Sequence, residues 1–140
     1  MSTKGVPLQV LLVEDSEDDR FFFQHAFTRA QCDAQLSMAK DGIEGIELLQ
    51  KSVQSSEGFA HPDVIFLDLK MPDCDGFDVL RWMRDHALLE TIKVYVLSGS
   101  SEPQDISLAR ELGATDYLVK PIKHTRLQQL LQSAHAPPAS

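Results

Sequence analysis

Five short apolar runs, each closed by a polar residue and followed by a stretch of helical spacing, constrain this chain more than any other feature. The first, Leu8 to Val13, has the length and composition of a buried strand and stops at Glu14-Asp15-Ser16. Ser16 and Asp19 have the spacing of a capping box. Phe22, Phe23, Ala26, Phe27 and Ala30 then recur at helical intervals, which predicts a helix with that face on a sheet. Ala34 to Ala39 reads as a second strand, Asp41-Gly42 breaks it, and Ile43, Ile46, Leu48 and Leu49 mark a helix to about Val53. After a polar loop from Ser55 to Pro62, Asp63 to Leu67 forms a third strand, terminated by Asp68. The same unit recurs as a helix around Phe77 to His86, a strand from Lys93 to Leu97 and a helix from Pro103 to Leu112. Gly113 stands where a helix C-cap is wanted, before a strand from Asp116 to Val119 and a helix from Lys123 to Ser133.

Strands alternating with helices in this way predict a parallel sheet covered on both faces, because right-handed crossovers place helices on its two sides. A length of 140 residues suits one compact domain. The formal charge of -8, with no cluster among the 13 Lys and Arg residues, disfavours nucleic acid, whose phosphates need a basic stripe. Met1 to Pro7 lacks the apolar core of a signal peptide, and no apolar run reaches the roughly 18 residues that cross a bilayer. A cytoplasmic protein with free Cys32 and Cys74 is expected, and a frayed tail from His135 to Ser140.

Ligands of open parallel α/β sheets gather outside the carboxyl ends of the strands. Here those ends carry Glu14 and Asp15, then Asp68, then Ser98, then Lys120-Pro121. Carboxylates crowded into one pocket repel, and a hard divalent cation with oxygen ligands relieves the repulsion, so Mg²⁺ is the candidate, with Asp15 and Asp68 as direct ligands. A carboxylate can also attack a phosphoryl group, provided cations neutralise the transferring oxygens; Lys120 and the metal would do so, while Ser98 donates a hydrogen bond. Read alone, Glu14-Asp15-Ser16 is equally a strand end and helix cap. Pro72-Asp-Cys-Asp-Gly76 favours a turn with an N-cap over a metal site. Phe21 and Trp82 fall off the apolar faces and are expected to be partly exposed, and the five histidines show no ligand spacing.

Four segments, in order, resemble the receiver domains of response regulators over about Leu8 to Ser133. They are Leu-Val-Glu14-Asp15-Ser, Ile-Phe-Leu-Asp68-Leu-Lys-Met-Pro72-Asp-Cys-Asp-Gly76, Val-Leu-Ser98-Gly-Ser and Gly113-Ala-Thr-Asp-Tyr117-Leu-Val-Lys120-Pro121. The resemblance implies a single receiver domain over residues 1–140, a doubly wound five-stranded parallel sheet in the flavodoxin-like order 2-1-3-4-5, and five helices. It implies that Asp68 accepts a phosphoryl group from the phosphohistidine of a sensor histidine kinase, or from a small donor such as acetyl phosphate. Asp15, Asp68 and the backbone carbonyl of Lys70 would hold Mg²⁺, with Glu14 acting through a water. Lys120 and Ser98 would contact the phosphoryl oxygens, Ser98 and Tyr117 would form the switch, and Lys120-Pro121 would be a cis peptide. Lys70 and Ser100 stand where the family tunes phosphate loss.

Ser98-Gly99 departs from the Thr-Ala found in many relatives, and the Ser55 to Pro62 loop is long for the family. That loop, the Glu-Asp-Ser start and the Leu-Ser-Gly-Ser strand end are similar to the stand-alone regulators that partner phytochrome-type kinases. By this resemblance the chain is a signalling module and not a turnover enzyme. Its output is a downstream protein target or a histidine phosphotransfer protein, without DNA or membrane. Such receivers are monomers or homodimers through the face of the fourth helix, fifth strand and fifth helix, where Leu108 and Tyr117 are expected to be exposed. The alternative is an aspartyl-nucleophile phosphatase or phosphotransferase, although such enzymes usually want a second acid where Lys70 stands. A flavin module would need a hydroxyl- and glycine-rich first turn in place of the acidic one.

Overall fold

The computed structural model describes residues 7–54 and 61–135, so the expectations for the first six residues, for most of the Ser55 to Pro62 loop and for the tail lie outside the described residues. In chain order the elements are β1 (Leu8–Val13), α1 (Glu17–Ala30), β2 (Ala34–Ala39), α2 (Gly42–Gln54), β3 (Val64–Asp68), α3 (Gly76–Asp85), β4 (Lys93–Ser98), α4 (Pro103–Glu111), β5 (Asp116–Val119) and α5 (His124–His135). All strands pair in parallel, in the order β2-β1-β3-β4-β5.

Burial on both faces explains the unbroken apolar runs of the central strands. Leu11, Val13, Ile65 and Leu67 pack with Leu49, Leu80, Met83 and Ala109 from α2, α3 and α4. Their neighbours Val10, Leu12, Val64 and Phe66 point the other way, onto Phe23 and Ala26 of α1 and Leu127 and Leu131 of α5. Each fully buried side chain of this size contributes roughly 1.5–3 kcal/mol of transfer free energy. Phe66 anchors the second layer, its ring 5.0 Å from Phe23 and 5.4 Å from Tyr95.

The register brings the strand ends together. Val13 pairs with both Ala39 and Leu67, Asp68 with Leu97, and Ser98 with Val119, so the polar residues that follow emerge along one edge. Gly113 adopts φ 104°, a left-handed conformation that glycine takes without steric cost, and so ends the α4 segment before β5.

Several surface expectations need correction. Phe22 is 60% exposed, because the buried stripe of α1 is Phe23, Ala26 and Ala30 and Phe22 lies at its margin. Ile43 is likewise exposed, at the start of α2. Phe21 is exposed and Trp82 partly exposed, as expected, Trp82 resting its inner side on the core and stacking on His86 at 4.0 Å. Leu108 and Tyr117 are half-buried against the core, and the exposed apolar residue on β5 is Val119. At Ser16 only half of the capping box forms: its hydroxyl accepts from the Asp19 amide at 3.2 Å. A complete box joins Asp75 and Asp78, as the turn reading of Pro72 to Gly76 requires. Both cysteines are free.

Gly76 ties this second cap to the end of β3. Its amide donates to the Leu69 carbonyl at 3.1 Å, and a Cβ there would stand 2.5 Å from the Asp68 carbonyl oxygen and 2.9 Å from Leu69 Cα. Both neighbours are backbone atoms, which cannot rotate away. Gly76→Ala should therefore lower unfolding stability by about 1–3 kcal/mol in urea titrations; an unchanged midpoint would contradict this packing.

Candidate functional site

Along the sheet edge, Glu14, Asp15 and Asp68 each offer a carboxylate oxygen, and these oxygens lie within 4.8 Å of one another. Glu14 and Asp68 are buried, while Asp15 is exposed. One backbone bond and one side-chain bond fix the strand end beneath them: the Glu14 amide donates to Ala39 O at 3.0 Å, and the Arg20 guanidinium Nη1 donates to Glu14 O at 2.8 Å. From β5, the Lys120 amide donates to Ser98 O at 2.8 Å, and the Lys120–Pro121 bond is cis. The Lys120 ammonium lies 2.7 Å from Glu14 Oε1, 2.8 Å from Asp19 Oδ2 and 3.2 Å from Asp68 Oδ1.

Burial raises the Glu14 carboxyl to about 7; the Lys120 hydrogen bond opposes that shift and the Asp68 charge adds to it. Burial likewise pushes Asp68 up, opposed by the Lys120 charge and reinforced by Asp15. For Lys120 burial acts downward, but hydrogen bonds to Asp19 and Glu14 and the neighbouring negative charges outweigh it and hold the ammonium above the ordinary lysine range. The pocket thus has a surplus of acids around one cation, all its anionic donors being oxygens, which is the donor chemistry a hard cation takes.

The remaining sequence-expected residues fall at different distances from this cluster. Ser98 is fully buried at the end of β4, and its Oγ accepts from the Ser100 amide at 3.3 Å. Tyr117 donates its hydroxyl to the Ser100 carbonyl at 2.9 Å, joining β5 to the segment that follows Ser98. The Lys70 side chain does not join the acids; its ammonium lies 3.4 Å from Asp105 on α4. Asp19 is the residue that sequence reasoning missed. Its position three residues after a serine cap suggested a local helix role, and the usable signal was a third acid on the turn after an acidic strand end.

A family model described as the response regulator receiver domain matches residues 10–132. The chain belongs to the response regulator receiver domain family. This receiver is 33% identical over 114 residues to response regulator Rcp1 of Synechocystis sp., covering 81% of this chain and 77% of Rcp1. Among solved structures, the bacteriophytochrome response regulator AtBRR is 31% identical with a TM-score of 0.77, covering 96% of each chain. The phosphorylated cyanobacterial phytochrome response regulator RcpA is 28% identical with a TM-score of 0.74, covering 91% of each chain. Several curated relatives are longer, and the chain spans 26% to 55% of their length. The receiver is a signalling module homologous to two-component response regulators, and these similarities lend no support to an aspartyl phosphatase. Among the described residues no helix is long and apolar enough to cross a membrane.

The raised carboxyls carry a pH signature. Folded Glu14 holds its proton to about pH 7 against 4.5 for the ordinary group, so between those values the unfolded chain binds fewer protons and stability falls as pH rises. Asp68, also raised, acts in the same sense. Lys120, raised as well, keeps its contribution through this window and loses it only in alkali. In EDTA, the melting temperature should fall by several degrees as pH rises through that window. Mg²⁺ should restore progressively more of it toward the upper end, because metal competes with protons for the carboxylates. Glu14→Gln should flatten the slope; a native slope of the opposite sign in EDTA would contradict the assignment.

Proposed function

We propose that this receiver is phosphorylated on Asp68 by a sensor histidine kinase and signals through the altered surface that follows. The observation that carries the proposal is the meeting of Asp68 with one ammonium at 3.2 Å and with a cluster of acid oxygens at the same sheet edge. A buried carboxylate beside a cation can attack, and its neighbours can balance the charge that arrives.

In the step proposed, an Asp68 carboxylate oxygen forms a bond to phosphorus as the bond from phosphorus to the donor imidazole breaks, and the imidazole leaves with that electron pair. Lys120 offers its ammonium to the phosphoryl oxygens. The Ser98 hydroxyl, which already accepts from the Ser100 amide, keeps its own proton free to donate. The oxygens of Glu14, Asp15 and Asp68 suit Mg²⁺, which Asp15, Asp68 and the Lys70 carbonyl would hold directly and Glu14 through a water. Bound there, the ion would supply positive charge to the transferring oxygens. Tyr117 hangs on the Ser100 carbonyl, so a shift of Ser98 toward the phosphoryl group would reach β5 within two residues.

The relatives named for phytochrome response regulation favour a phytochrome-type kinase as the donor. In this reading residues 1–140 act as one cytoplasmic receiver domain. The output is a downstream protein or a histidine phosphotransfer protein, and homodimerisation uses the α4-β5-α5 face, where Val119 is 50% exposed.

Incubation with acetyl phosphate and Mg²⁺, followed by intact-mass measurement, tests the proposal. One phosphoryl addition is expected, absent from Asp68→Asn and from samples in EDTA. Equal addition to Asp68→Asn would refute it.

A further inference from the structure

The three donor positions of the Lys120 ammonium are matched by three carboxylates, and one of them, Asp19, has no part in the metal binding or phosphoryl transfer proposed above. Asp19 occupies the third position of α1, where an acid after a serine cap normally turns back to the cap amide. Here the Ser16 amide donates instead to Glu14 Oε2 at 3.2 Å. The Asp19 side chain is thereby left for Lys120, 101 residues away, at 2.8 Å. Two observations therefore coincide: a local role given up and a long-range contact made.

Of the three partners Asp68 is the one modified, so a phosphoryl group there competes with Glu14 and Asp19 for the ammonium. The partners are not equally easy to displace. Glu14 is 1% exposed, and losing its cation would strand a buried charge. The Asp19 side chain is 39% exposed, so water can replace the ammonium there. A cavity of about 50 Å³ lined by Asp19, Glu14, Lys120, Phe22 and Pro121 gives the lysine tip room to shift.

We propose that Asp19 is a positioning residue that holds Lys120 in the unphosphorylated receiver and surrenders it to the phosphoryl group. The inference rests on the phosphoacceptor reading of Asp68 and adds to it a competitor. Asp19 stabilises the resting pocket and thereby weakens its hold on phosphate. Phosphorylation then also frees the first turn of α1 from β5, so the charge event reaches α1 as well as the β5 face.

Titration calorimetry with beryllofluoride and Mg²⁺, a stable phosphoryl mimic, separates the possibilities on the native protein, Asp19→Asn and Asp19→Glu. Removing the competing charge should tighten binding by roughly threefold to fivefold, the worth of a partly exposed ion pair. Asp19→Glu, which keeps the charge, should stay near native. A merely structural aspartate would give unchanged or weaker binding in Asp19→Asn, and either result overturns the proposal. Native protein that binds no beryllofluoride, or binds it equally in Asp68→Asn, would instead refute the phosphoacceptor reading and the inference with it.

Discussion

Lys120 is the cation on which the pocket depends. Its ammonium joins the ends of β1 and β3 and the first turn of α1 through carboxylates at 2.7 to 3.2 Å, while its backbone is tied to Ser98 on β4. Without it, Glu14 and Asp68 would be buried side by side with no opposite charge, a situation that costs about 3–5 kcal/mol when one partner of a buried pair is removed. Even with it, burial raises Glu14 to about 7, and the neighbouring Asp68 charge adds to the shift. A site tuned this way is poised to take up further positive charge, and then a phosphoryl group that the added charge can balance.

The scaffold makes that arrangement possible by holding the backbone still. Parallel pairing aligns Val13, Asp68, Ser98 and Val119 at one edge, and two apolar layers lock the sheet from either side. Close approach at Gly76 fixes the start of α3 against Asp68. In the proposed switch the parts that shift lie above the edge: the lysine tip, the Ser98 hydroxyl and the Ser100 segment bonded to Tyr117. Rigid strand ends carrying adjustable polar tips suit a switch better than a turnover catalyst.

Much of this was legible from sequence because its causes are local or periodic. Strands buried on both faces appear as unbroken apolar runs, and the polar residue that ends each run is by construction at the sheet edge; Glu14, Asp15, Asp68, Ser98 and Lys120 were found that way. Asp19 was not, since Ser16 and Asp19 form a normal capping signature, and only the fold reveals that Glu14 has taken the cap amide. Phe22 lies at the margin of a helical stripe, where periodicity cannot say which side the neighbouring β5-α5 turn leaves open. The Lys70 contact with Asp105 joins separate elements and leaves no periodic trace.

Residue-level mapping of the acyl phosphate is the most direct measurement. Protein treated with acetyl phosphate and Mg²⁺ would be reduced with borohydride, which converts an aspartyl phosphate to homoserine, then digested and sequenced by tandem mass spectrometry. Conversion confined to position 68 is the expected result. Homoserine at Asp15 or another aspartate, with Asp68 intact, would contradict the assignment of Asp68 as the phosphoacceptor.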